Sequence, residues 1–260
     1  MNAVAKPLSH TLDAFKNSME ECVQNGEHER IEPPLEHFHT PDLYGRRIFV
    51  PGGTAIVTKV HKTEHITVAL RGHCTVVDGD GQKQEVIAPA VFITKPGTQR
   101  AVYAHDDVEW ITVHACKEQD MDRVEAALVC STMADYDRED YAKVLVEAGI
   151  TEDQALELTQ SNLVFLPIDE PLITVGASSI QGDGVFALED IPAGGRIAPA
   201  RIGNLKTTAG RYTNHSANPN AEFRLADNGL DLYAVKQIAA GYEITVCYRQ
   251  AQKAAALVDL

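Results

Sequence analysis

At 260 residues, with 44% hydrophobic and 23% charged residues, the chain has globular composition and room for one large domain or two small ones. Its 23 Lys and Arg against 37 Asp and Glu give a formal charge of -14, which argues against broad attraction to nucleic acid or anionic membranes. Cysteines 22, 74, 116, 130 and 247 form no CxxC pair and read as reduced thiols. No leader-like start and no membrane-length apolar run is present, so the expectation is a cytoplasmic chain.

Residues 1–45 read as an N-terminal arm, with a short helix around Leu12 to Val23 and a break at Pro33 and Pro34. His28, His37 and His39 in this arm are either solvent-exposed or able to reach a metal. From 46 to 115, short β-branched runs such as TAIVTKV, HITVAL, AVFIT and VEWITVH alternate with glycine turns. A small antiparallel barrel or sandwich is expected, because closure removes exposed sheet edges. Residues 116–161 form an acidic helical connector, and the 4 basic and 14 acidic residues of 116–170 carry most of the imbalance. Val124, Ala127 and Leu128, then Tyr141, Val144, Leu145 and Ala148, repeat at helical spacing. Gly149 suits a helix C-terminus, and Thr151 with Gln154 spells a capping box. A second strand-rich unit occupies 162–250, and 251–260 is a short C-terminal helix or tail. The fold class is therefore mainly β with a helical connector.

His61 and His65 lie between strand-like TAIV and ITVAL. A turn or bulge at Lys62 to Glu64 brings both imidazoles inward, as ligands of a divalent metal or as members of a metal-free interior. Glu64, Lys59, Arg100, His105 and His114 are further candidates for the same cavity. The order of elements from about Gly52 to His114 resembles the cupin superfamily. That resemblance implies a small β-barrel and sets Lys59 at the first metal-histidine position, His61 at the second, His65 at the acidic ligand and Arg100 at the late histidine.

Farther on, IQGDG carries Gly182 and Gly184 in a turn able to let a ligand approach the backbone. It is neither a Rossmann fingerprint nor a P-loop. Asn214 and His215 stand beside the turn-prone SANPN, and GYEITVCY ends in Tyr248. These side chains suit orientation of polar ligand groups, or equally a cap, a buried hydrogen bond and a core aromatic.

Taken in order, Ile173 to Arg249 resembles a SET domain, the fold of many protein-lysine methyltransferases. IQGDGVFALEDIPAGG is similar to its glycine segment, RYTNHSANPN to its Asn-His-Ser motif and GYEITVCY to its terminal Glu-and-Tyr motif. The resemblance implies a compact SET-like β domain that binds S-adenosylmethionine through Gly182, Gly184, Asn214 and His215. It also implies Tyr248 as the catalytic tyrosine, Tyr212 as a channel aromatic and a basic peptide or protein as substrate. Glu243 is expected to orient the fold rather than accept a proton. The connection from Ala198 to Tyr212 is shorter than in active relatives, and Ala217 stands where a cysteine is frequent. A non-catalytic scaffold or homo-oligomeric assembly protein is therefore the alternative, with a cupin-type metal or small-molecule site as the third. No direct nucleic-acid or membrane partner is expected.

Overall fold

The computed structural model describes residues 11–79, 81–160 and 165–256; the start of the expected LVFLPI strand and the last residues of the tail lie outside them. The chain divides into two units, one of residues 10–136 and one containing residues 137–260, with the division inside a helix.

The first unit opens with α1 (Thr11–Gln24), then β1 (Leu35–His39), β2 (Leu43–Val50), β3 (Ala55–Val57), β4 (Val60–His61) and β5 (His65–Arg71). There follow β6 (His73–Asp78), β7 (Lys83–Ile87), β8 (Ala90–Thr94), β9 (Arg100–Ala104) and β10 (Val108–Ala115). α2 (Met121–Leu128), β11 (Val129–Cys130) and the first turn of α3 (Met133–Ala148) complete it. The strands form one sheet in the order β1-β2-β10-β5-β8, another in the order β3-β9-β6-β7, and a β11-β4 pair. All these pairings are antiparallel.

Period-two burial explains the layering. In β10, Val108, Trp110, Thr112 and His114 are buried while the residues between them are not. Val50, Ala69, Val108 and Trp110 from the first sheet meet Cys74, Val76, Val86 and Val102 from the second in one apolar core. Phe92 and Trp110 meet edge to face at 6.0 Å. The expected closure is not made: no ladder joins the two large sheets among the described residues, so the unit is a two-sheet sandwich. Residues assigned to the arm also supply β1, an edge strand on β2.

The second unit contains the remainder of α3, α4 (Glu152–Gln160), β12 (Ile173–Ala177), β13 (Asp183–Ala187), β14 (Arg196–Ile202) and β15 (Leu205–Lys206). α5 (Thr208–Tyr212), β16 (Asn214–His215), β17 (Ala221–Ala226), β18 (Gly229–Ala234), β19 (Glu243–Val246) and α6 (Tyr248–Ala256) follow. One sheet runs β12-β13-β19-β16 and the other β15-β14-β18-β17. The β16–β19 pairing is parallel, with Asn214 opposite Thr245 and His215 opposite Val246. The core is aliphatic and rich in alanine, centred on Val185, Ala198, Leu232, Ile244 and Val246.

The expected helix signals are realised. The Thr151 hydroxyl accepts from the Gln154 N–H at 3.2 Å, and the Gln154 side chain accepts from the Thr151 N–H at 2.9 Å. Gly149 closes α3 at φ 69°, where Ile150 N–H reaches back to the Leu145 carbonyl. No helix among the described residues is long and apolar enough to cross a membrane.

Candidate functional site

Three histidines converge inside the first unit. His65 and His114 face inward on adjacent strands β5 and β10, and β4 brings His61 beside them. Ring centroids lie 4.4 Å apart for His61 and His65, 3.9 Å for His65 and His114, and 6.0 Å for His61 and His114. One ring nitrogen from each lies within 4.8 Å of the others, and all three residues are buried. His61 is fixed on both sides. β11 pairs with it through Val129, its N–H donates to the Thr98 carbonyl at 2.9 Å, and its carbonyl accepts from Gly97 N–H at 2.8 Å.

The protonation pattern follows from these contacts. His65 Nδ1 lies 3.0 Å from the Thr63 carbonyl, which only accepts, so Nδ1 carries the proton and Nε2 carries the lone pair. That Nε2 has no partner, and neither does His61 Nδ1. Burial pushes the His61 pKa down to about 2 and that of His114 to about 3, with neighbouring His65 adding to both; burial lowers His65 as well. Three neutral imidazoles, two of them with a buried ring nitrogen that has no partner and the third with Nδ1 at 3.3 Å from the Thr63 hydroxyl, are a donor set that a divalent transition ion can take.

Sequence reasoning found His61 and His65 but left His114 among distant candidates. The signal lay in VEWITVH, where alternation places His114 on the face of Trp110. Of the other candidates, Lys59 pairs with Glu125. His105 belongs to a half-exposed cluster in which His73 contacts Glu85 at 2.8 Å. In the former arm, His37 contacts the Tyr44 hydroxyl at 2.7 Å.

In the second unit, parallel pairing of β16 with β19 brings the glycine turn, Asn214, His215 and Tyr248 together. Asn214 Nδ2 lies 3.1 Å from the Gln181 carbonyl, 3.2 Å from the Asp183 carbonyl and 2.9 Å from Glu243 Oε1. It thus clasps the turn to β19. Gly182 is left-handed at φ 52° with open space where a side chain would project. Gly184 has a different reason to be glycine: a Cβ there would lie 2.3 Å from Glu243 Oε1. Glu243 is buried, accepts from the Ser178 hydroxyl at 2.8 Å, and has its pKa raised by burial against those hydrogen bonds.

His215 uses both nitrogens. Nδ1 accepts from Tyr248 N–H at 3.1 Å, so Nε2 donates to Asp140 Oδ2 at 2.9 Å. Arg249 contacts Asp140 at 2.8 Å and Glu147 at 2.6 Å. Burial pushes Asp140 up, but the bonds from Arg249 and His215 outweigh it and hold the carboxyl below its ordinary pKa. The Tyr248 hydroxyl donates to the Thr213 carbonyl at 3.1 Å, and the Tyr141 ring meets Tyr248 edge to face at 5.8 Å. Burial, with Tyr141 and Glu243 nearby, raises the Tyr248 pKa and keeps the phenol protonated. Tyr212 is placed differently. It ends α5 against Phe165 at 6.2 Å, and no ring contact joins it to Tyr248 among the described residues.

Asp137, Asp140 and Asn220 were missed by sequence reasoning. Asp137, Asp140, Tyr141 and Val144 share one helical face, so two carboxylates lie in an otherwise apolar stripe. Asn220 bridges the Glu243 carbonyl at 2.7 Å and the Thr245 N–H at 2.8 Å.

Comparison with known proteins gives two kinds of likeness. The SET domain family model matches residues 198–249, the stretch containing Tyr212, Asn214, His215 and Tyr248. A comparison with curated proteins found no match. Among solved structures, an uncharacterized conserved protein with a double-stranded β-helix domain from Klebsiella pneumoniae is 20% identical. It aligns over 36% of this chain and 89% of its own with a TM-score of 0.31. A protein from Neisseria meningitidis is 10% identical over 36% of this chain and 94% of its own, with a TM-score of 0.29. Salicylate 1,2-dioxygenase from Pseudoaminobacter salicylatoxidans is 9% identical over 44% of this chain and 34% of its own, with a TM-score of 0.32.

Asp137 offers a direct check on the second site. Its Oδ1 accepts from the Ser216 hydroxyl at 3.1 Å and the Ala217 N–H at 2.9 Å, while burial raises its pKa to about 6. Because the folded value exceeds the ordinary 3.8, charging the buried group removes stability as pH rises through about 6. Asp137→Asn keeps an accepting oxygen without the charge. Against wild type it should be near neutral at pH 4 and more stable at pH 8, by on the order of 1–3 kcal/mol in denaturant titrations. An equal difference at both pH values would contradict this electrostatic account.

Proposed function

We propose that the second unit is an S-adenosylmethionine-dependent methyltransferase acting on a lysine amine of a basic peptide or protein. The convergence of the glycine turn, Asn214-His215 and Tyr248 around the β16–β19 pairing supports this reading. The open backbone at Gly182, in a turn fixed by Asn214, suits approach of a cofactor, so the residues present fit the group. Gly182, Gly184, Asn214 and His215 would hold it, with Gly184 and the two side chains acting through the clasp. The cofactor supplies an activated methyl group; the chain supplies alignment.

Tyr248 donates to Thr213, which leaves its oxygen lone pairs to accept from an amine N–H and orient the nucleophile. Neither Tyr248 nor Glu243 serves as a base. The phenol is held neutral, and the carboxylate accepts from Ser178 and Asn214. The lysine therefore arrives deprotonated from solution. Transfer to a basic peptide should rise about tenfold per pH unit toward the ordinary lysine value of about 10. Tyr248→Phe should reduce transfer by on the order of 100-fold while cofactor titration gives unchanged affinity. A rate plateau below pH 7 would reveal a base, unchanged transfer would remove Tyr248 from the mechanism, and no cofactor binding would favour the scaffold reading.

A separate observation supports a second function in the first unit, a divalent-metal centre. His61 Nδ1 and His65 Nε2 are buried ring nitrogens without partners, beside His114. These three residues would hold the ion, which would supply Lewis acidity and an open coordination position. The Thr63 carbonyl on His65 Nδ1–H fixes the tautomer. His114→Ala should weaken zinc or nickel binding at least tenfold in competition titrations with a chelating dye, whereas Cys74→Ser, in the apolar core, should not. Equal affinity of all three proteins would exclude the triad.

A further inference from the structure

We propose that the interior layer beside His61, His65 and His114 binds a small organic carboxylate, with its anionic end held by Arg46 and Arg100. The inference rests on the metal-centre reading and adds the ligand class for that site.

Strand register places both arginines. Along β2, the buried Tyr44 and Val50 mark the inward face, and Arg46 shares it. Tyr44 lies opposite His114 and Arg46 opposite Thr112, one step farther along the same face. From the other sheet, Arg100 shares the inward face of β9 with Val102 and Ala104. Its Nη1 donates to the Thr94 hydroxyl at 3.2 Å, and Thr94 is the cross-strand partner of His65. The Arg100 guanidinium is therefore hydrogen-bonded to the residue directly across the strand pair from His65, in the layer of the triad.

The charges facing this layer are unbalanced. Among the described residues no carboxylate is bonded to Arg46 or Arg100, although the chain has 37 acidic residues. On the outward face of the same strand, Arg47 pairs with both Glu36 and Glu109. Arg100 has one carboxylate near it, Asp78, its cross-strand partner on β6, whereas Arg46 has none paired with it among the described residues, so two inward guanidinium groups share a single acidic neighbour and leave charge for an anion to balance. Thr112 Oγ1, opposite Arg46, is a further buried atom without a partner. Three of the four such side-chain atoms among the described residues, on His61, His65 and Thr112, thus belong to this layer.

The surroundings favour an organic anion over a bare inorganic one. Arg100 lies over the Phe92 ring at 5.5 Å, and Phe92 contacts Trp110, so the polar layer borders aromatic surface. A guanidinium fork matches a planar carboxylate, and the aromatic border matches an apolar body of a few carbons.

Calorimetric titration of the full chain with butyrate, 2-oxobutyrate, butyramide and inorganic phosphate, before and after loading with nickel, tests the assignment. Metal content per chain is measured in parallel. The carboxylates should bind at least tenfold more tightly to the loaded protein, 2-oxobutyrate best, with neither butyramide nor phosphate matching them. Arg100→Gln and Arg46→Gln should each weaken carboxylate binding at least tenfold while metal content is unchanged. If nickel loads but the carboxylates bind no better than butyramide, the ligand assignment is wrong and the metal reading survives. If nickel fails to load, the metal reading falls, and titration of the unloaded protein decides the anion site alone. Carboxylate binding lost in the arginine variants would uphold it, and no binding in wild type would overturn it. Phosphate binding more tightly than either carboxylate would also overturn the assignment.

Discussion

A polar atom taken out of water must find a partner or carry the full cost of desolvation, and the two units of this chain meet that constraint in opposite ways. In the C-terminal unit the buried groups are satisfied by one another. Glu243 takes hydrogen bonds from Ser178 and Asn214, His215 uses both ring nitrogens, and Asp137 accepts from Ser216 and Ala217. In the N-terminal unit, His61, His65 and Thr112 present buried atoms that nothing in the described chain fills. The first pattern makes a self-contained framework; the second leaves acceptor and donor capacity unused.

That contrast changes how the motif residues are understood. Asn214 and His215 look, in sequence, like groups waiting for a ligand. In the structure they form a clasp that holds the 181–183 turn, β16, β19 and the start of α6 in one arrangement. For the proposed methyl transfer, such a clasp would offer fixed backbone and a fixed phenol, with little left to reorganise when the reactants meet. Asp137 and Asp140 of α3 belong to that framework. Asp140 accepts from the neutral His215 and balances the charge of Arg249, so part of the chain's negative charge serves local neutralisation.

Much of the fold was legible because it rests on local rules. The Thr151–Gln154 box, Gly149 and the two-residue alternation of the strands each depend on neighbours within a few positions, and each is realised. What escaped depends on register between distant segments. His114 joins His61 and His65 only once β10 lies beside β5 and β4 is held by β11. Likewise Leu35–His39 reads as arm because its strand character comes from pairing with β2 rather than from its own sequence. The short α5 was missed because its cap, Thr207 accepting from Gly210 N–H, sits where sequence suggested only a connection. Of the barrel or sandwich expected, the sandwich is realised, because two sheets packed around a shared core satisfy the apolar faces without closing.

The central claim is that the buried imidazoles of His61, His65 and His114 form a metal centre rather than a polar core. Anomalous diffraction from crystals grown with zinc, recorded on both sides of its absorption edge, tests it most directly. The account requires one anomalous peak bonded to a ring nitrogen of each histidine at about 2.1 Å. Ordered water on His61 Nδ1 and His65 Nε2, with no anomalous signal between the three rings, would contradict it.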